Sequence, residues 1–238
     1  MNRNELKNLI NDAYRAPEPE KKQEFINKLR PRKIGTLKML LQQIPYIRPY
    51  VWILSALIIA IAITGTVMGG EGTDRLIALI MPFTAAVGIL ETGRSRRYNM
   101  SELEMATRFS LRSVVFARMT IFGFMSVILT AVISPLIAGS FGMDAVITAE
   151  TILIPYLITM IVSLHIERSP VGRENGLLSV VIAAGVMFLF FVIWQSESGM
   201  ALYSSFISGG CGIAAVMVLS ALTLTEQWLT VRNVEAFA

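Results

Sequence analysis

The chain has 238 residues, 54% of them hydrophobic, and a formal net charge of +4. About half of it lies in long apolar runs, which leaves no room for a sizeable soluble domain. A single cysteine, Cys211, and a single histidine, His165, exclude an intrachain disulfide framework and a Cys/His metal cluster.

The N-terminal region is polar and charged. No cleavable signal peptide is expected, because the first long apolar run begins only at Val51. Asn4 can cap a first helix carrying Leu6, Leu9, Ile10, Ala13 and Tyr14 on one stripe, which Pro17 and Pro19 interrupt. A second short helix over 20–29 groups Phe25, Ile26 and Leu29. After a basic break at Arg30, Arg32 and Lys33, Thr36 can cap a third helix. Its apolar face is Leu37, Leu40, Leu41 and Ile44. This basic helix leads directly into an apolar span, so it is expected to lie flat in the inner membrane interface. A plain amphipathic helix packed on the rest of the N-terminal region is the alternative. Pro45 and Pro49 then bend the chain, with Tyr46, Tyr50 and Trp52 placed as an interfacial aromatic belt. These features divide the chain into a helical region, 1–35, and a membrane domain, 36–238.

Six apolar spans follow, at 51–68, 76–90, 114–138, 146–166, 177–194 and 202–224. The second is short for a roughly 30 Å hydrocarbon layer, and is expected to extend to Asp74 or Thr92. Of the 21 Lys and Arg residues, every one but Arg75 lies before the first span, around the loop between spans two and three, in the loop between four and five, or after the sixth. Basic residues stay on the cytoplasmic side. Both ends of the chain and the two charged loops are therefore expected in the cytoplasm of a multi-pass plasma-membrane protein. The basic balance is read as topology and attraction to anionic lipid rather than as nucleic-acid binding. The outward loops are short and acidic, with Glu71, Asp74, Asp144, Glu150 and Glu197. Gly65, Gly69, Gly209, Gly210 and Gly212 are small enough for close helix approach, and Pro82, Pro135 and Pro155 can kink spans.

Few ionisable residues fall inside the spans, which argues against a proton- or ion-coupled carrier. Glu91, His165, Glu167 and Glu226 all sit near the expected inner ends. His165 has no Ser or Cys partner for nucleophilic catalysis, and no phosphate-loop motif occurs. The chain is thus expected to be neither an enzyme nor a cofactor binder. The loop between spans two and three carries the strongest positive signal. Ser101 and Glu104 form a capping box, so a helix is expected over 101–112. Glu102 lies in its first turn. Glu104, Arg108 and Arg112 make a charged ridge at i, i+4 and i+8, apart from the face of Met105, Ala106 and Phe109. A solvated helix end that only sets topology would look the same.

This arrangement resembles the membrane subunit of type-2 ABC exporters, the G-subfamily-like fold. Glu91, Glu104, the Thr107, Arg108, Phe109 and Ser110 run, and the Ala117 and Arg118 pair occupy places that match the family. The loop with Arg168, Arg173 and Glu174 resembles its short second cytoplasmic loop. Three features depart from the family. Arg94, Arg96 and Arg97 replace its mixed-charge run after span two. The N-terminal helices are extra, and no re-entrant pair is evident between spans five and six. The resemblance implies an all-α permease with six transmembrane helices and an interfacial connecting helix. It also implies a coupling helix at about 101–112, with Glu91, Ser101, Glu102, Glu104, Arg108, Phe109 and Arg112 as ATPase-coupling residues. The implied partners are an ABC ATPase chain, which binds ATP and magnesium, and a second permease chain, identical or paralogous. The apolar spans suggest an amphipathic or hydrophobic solute, such as a drug, lipid or antimicrobial peptide. A membrane-anchored scaffold that holds a soluble partner on its N-terminal helices is the competing expectation.

Overall fold

The computed structural model describes residues 43–70, 72–94, 111–169 and 175–234, together with Glu5, Lys7, Leu40, Leu41 and Gly172. The chain divides into two units, Met1–Thr36 and Leu37–Ala238. Of the first expected N-terminal helix only Glu5 and Lys7 are described, both helical; its other residues, the second expected helix and Leu37 lie outside the described residues. Leu40, Leu41 and Gln43 are helical, and a 3₁₀ turn, Ile44–Tyr46, follows them. Leu41 is exposed, while Leu40 and Ile44 are half-buried.

The described residues of the second unit are mostly helical and contain no strand. In chain order the helices are α1 (Pro49–Val67), α2 (Thr73–Thr92), α3 (Leu111–Phe141), α4 (Ala145–Glu167), α5 (Leu177–Gln195), α6 (Glu197–Phe206) and α7 (Gly212–Val234). Six segments among them are long and apolar enough to cross a membrane. The last, Glu197–Arg232, has 36 residues. A straight helix of that length would reach about 54 Å, well beyond a roughly 30 Å hydrocarbon layer. It is broken instead by a π-turn, Ile207–Cys211, where Gly210 sits at φ 74°. Only glycine takes that left-handed backbone readily. The segment read from sequence as one span, 202–224, is therefore two helices and a break.

Local chemistry accounts for the ends. Pro49 opens α1, where its missing N–H costs nothing, after an extended Arg48. The α1–α2 link turns on Gly69 and Gly72, both at positive φ. Asp144 caps α4 by accepting from the Val146 N–H at 3.0 Å. Ser196 caps α6. Phe190 and Trp194 of α5 meet Tyr203 of α6 edge-on, with ring centroids 5.9–6.1 Å apart, so α6 folds back on the end of α5.

The central pair is α2 and α4. In α4, 56% of the most apolar stretch is buried, against 17% in α5. The core joins Ile58, Ile77, Met81, Ile89, Ile133, Ile152 and Leu164. In lipid such packing gains dispersion rather than hydrophobic transfer energy, so close approach matters. Gly65 provides one such approach, since a Cβ there would lie 2.5 Å from Thr73. By contrast, Gly69, Gly209 and Gly210 have open space beside them, and close packing explains none of the three. Gly65→Leu is expected to destabilise the α1–α2 hairpin by about 1–3 kcal/mol, the usual cost of overpacking. Thermal unfolding in detergent, compared with Gly139→Leu where the added atoms meet open space, measures this.

Several hydroxyls within the helices are satisfied on their own helix. Thr130, Thr151, Thr159 and Ser220 donate to carbonyls four residues back on their own helices, at 2.6–3.0 Å. This is the partner a hydroxyl finds where water is absent. Ser134 instead donates across the α3–α4 turn to the Ala145 carbonyl at 2.7 Å.

Candidate functional site

The helix ends sort by charge. Arg48, Arg94, Arg118, Arg168 and Arg232 lie at one end of the helices, and Asp74, Asp144, Glu150 and Glu197 at the other.

At the basic end, Glu91 is the focus. It sits in the last turn of α2, and its side chain is only 6% exposed. The Tyr50 hydroxyl, one residue into α1, donates to Glu91 Oε1. Arg48 Nε is 3.9 Å from Oε1, and an Arg94 guanidinium nitrogen is 3.6 Å from Oε2. Because Pro49 starts α1 level with the end of α2, Arg48 and Tyr50 reach this carboxylate. A buried carboxylate held by one phenol and two guanidiniums makes a stiff knot. It ties the foot of α1 to the point where the α2–α3 loop departs. Of the residues expected to form the coupling helix, Ser101, Glu102, Glu104, Arg108 and Phe109 lie outside the described residues. Arg112 falls in the first turn of α3, and its side chain is also outside the description.

A second knot joins α4 to α7. Arg168 caps α4 and pairs with Glu226. His165 Nδ1 lies 3.7 Å from Glu226 Oε1 and 3.2 Å from an Arg168 nitrogen. Arg168, expected in the second inner loop, is therefore turned into the helix bundle. Arg173 and Glu174 lie outside the described residues. The His165 side chain is 71% exposed and meets no nucleophile among the described residues.

Between α3, α4 and α7 lies a cavity of about 430 Å³. Met119, Phe124, Leu153, Leu157 and Leu224 give it an apolar wall, with Thr120, Ser126, Tyr156, Thr223 and Gln227 interspersed. A volume of this size suits a small organic molecule, for which pockets run to roughly 300–1,000 Å³. The lining is mainly apolar with a few hydroxyls and one amide.

Glu150 departs from its expected place. Read from sequence as an outward-loop acid, it lies in the second turn of α4 and is 5% exposed. Its Oε2 is buried without a hydrogen-bond partner among the described residues. The carboxylate rests against Gly212, the first residue of α7, where a Cβ would collide with it. The helical period carried this signal. Glu150 shares the i, i+3, i+7 stripe of Leu153 and Leu157, both facing inward in the bundle.

No family model matches the chain, and neither a curated protein nor a solved structure matches it.

Proposed function

We propose that this chain is the permease subunit of a bacterial type-2 ABC exporter, set in the plasma membrane with its basic ends in the cytoplasm. The reading is carried by one observation. All but one of the 21 Lys and Arg residues alternate to a single side of six apolar segments, and the longest basic loop between them contains the Ser101 and Glu104 capping box. The loop leaves α2 next to the Glu91 knot, which supports a mechanical role. A displacement that reaches the end of α2 would move α1 and α2 together, because the Glu91 knot ties them there. A partner ATPase chain supplies ATP and magnesium chemistry, since the sequence has no phosphate loop. Its closure would push Glu104, Arg108 and Phe109, and the helices would shift as rigid bodies between two packings. A second copy or a paralogue completes the transporter. The α3–α4–α7 cavity fits an amphipathic or hydrophobic solute.

Purification from native membranes in gentle detergent tests this. A stoichiometric partner that carries a phosphate loop is expected to copurify. Glu104→Arg is expected to lose it by about tenfold or more while inserting normally, because a reversed charge at a docked interface costs several kcal/mol. Retention of the ATPase by Glu104→Arg would refute the coupling role. A different soluble partner, lost when residues 1–30 are deleted, would establish a membrane-anchored scaffold instead.

A further inference from the structure

The α3–α4–α7 cavity is a groove on the outer surface of the bundle. Phe116, Phe124, Val127 and Leu224 line it, and each is more than half exposed. On α3 the groove runs from Phe116 to Val127, about 16 Å at 1.5 Å per residue. On α7 it runs from Gln227 back to Ser220. Phe116 lies near the start of α3 and Gln227 two turns before the end of α7, so the groove begins at the basic end. Beyond Ser220, Leu219 and Val216 pack into the core, and Glu150 fills the space beside Gly212. The groove therefore covers about half of a roughly 30 Å hydrocarbon layer, one leaflet deep. A spanning helix of another chain would lie along the whole height. Width argues the same way. A volume of 430 Å³ over that length gives a cross-section of about 27 Å², about a third of that of a helix 10 Å across. This is room for one extended hydrocarbon chain. Left empty, the walls forfeit dispersion contacts along their length.

The wall and the mouth differ in chemistry. Four of the five hydroxyls in the wall have already given their protons. Thr120, Ser126, Ser220 and Thr223 donate to carbonyls on their own helices at 2.6–2.8 Å. Among the described residues no charged side chain lines the groove. At the mouth Gln227 supplies an amide. Leu224, Trp228 and Arg232 follow at i, i+4 and i+8, so the stripe that lines the groove continues past it toward the basic end. There the Arg232 guanidinium stacks over the exposed Trp228 ring, 5.6 Å from its centroid. Arg232 lies about 7.5 Å beyond Gln227 along α7, about the thickness of a headgroup layer. The acid nearest in sequence, Glu226, is matched by Arg168, and Glu167 lines the α2–α5 side of α4 instead. An arginine with a tryptophan at this depth complements a lipid phosphate.

We infer that the α3–α4–α7 groove binds one acyl chain of an anionic phospholipid from the leaflet at the basic end, with the lipid phosphate held at Arg232 and Gln227. This deepens the permease reading by naming the amphiphile that occupies the cavity, and rests on that reading only for whether the lipid is carried. As an equilibrium binding site it stands alone.

The test titrates the purified full-length chain in detergent with phosphatidylglycerol and with phosphatidylcholine of the same acyl chains. Native mass spectrometry counts the bound lipid. The first phosphatidylglycerol is expected to bind about fivefold more tightly than the first phosphatidylcholine, the gain from one arginine near a membrane surface. Arg232→Gln is expected to remove the preference and leave phosphatidylcholine binding unchanged. Gly123→Phe reports on the groove separately. Gly123 lines it, and a Cβ there meets no atom within 4 Å, so the ring enters open space. This variant is expected to lose both lipids with its melting temperature unchanged. Gly139→Phe, on the same helix beside open space away from the groove, keeps both. A phosphatidylglycerol with a photoreactive group midway along one chain locates the site without any variant. Its crosslinks are expected within 116–127 and 220–227. Equal binding of the two lipids, a preference that survives Arg232→Gln, or crosslinks spread around the bundle would each overturn the inference. So would a disulfide between two chains carrying Phe124→Cys in a Cys211→Ser background, which would put a second copy in the groove. Selective lipid binding without a copurifying ATPase would sink the permease and leave the site. An ATPase on a chain with no lipid preference would do the reverse.

Discussion

Glu91→Arg is expected to destabilise the helix bundle by about 3–5 kcal/mol, the cost of leaving buried charges without partners. The native carboxylate is nearly fully covered and sits between Arg48 and Arg94, with the Tyr50 hydroxyl donating to it. Arginine there places a third guanidinium against two others and orphans the phenol. Glu91→Gln keeps an acceptor for Tyr50 and removes only the charge, so about 1–3 kcal/mol is expected. Tyr50→Phe removes a single hydrogen bond and should cost least of the three. Thermal unfolding in detergent gives the ranking. Arg48→Glu added to Glu91→Arg restores opposite charges across the α1–α2 foot and is expected to recover part of the loss. A double variant no more stable than the single one would mean that Glu91 matters for packing alone. Arg48 is about half exposed, so water screens its share, and recovery is expected to be partial.

How legible the bundle was depends on what kind of interaction sets each boundary. Apolar run length located all the spanning helices, because a helix in hydrocarbon must be apolar along most of its length. The second run was too short to span, and the helix extends past both its ends as expected, through Asp74 and to Thr92. Glu91 and Thr92 end the apolar run of α2 but not the helix, since Tyr50 and Arg48 receive Glu91 and the Ile89 carbonyl accepts from Thr92. At the other end Thr73 is helical because Gly72 turns the chain just before it. The same logic explains Glu150. Counted as a loop acid by its distance from the apolar centre of α4, it lies on the buried stripe by helical phase. Phase, not hydropathy, was the informative quantity there. The break at Gly210 was visible only as a cluster of glycines, which equally suits close packing. It took the backbone to show that Gly210 turns the chain while Gly212 makes room for a carboxylate. The pairing of Arg168 with Glu226 spans 58 positions and two helices, and no local pattern announces it.

That pairing makes a sharp test of how the fourth and last helices are held. Arg168 and Glu226 are each about one-fifth exposed, so their charges are mostly withdrawn from water. Arg168→Glu sets two carboxylates face to face and is expected to cost about 3 kcal/mol or more, as for breaking a largely buried pair. His165 stands beside both and is well exposed. The charge swap Arg168→Glu with Glu226→Arg rebuilds an ion pair of opposite sense across the same gap. It is expected to recover more than half of the single-variant loss in thermal unfolding. Equal losses for the single variant and the charge swap would show that side-chain shape, not charge, holds α4 to α7.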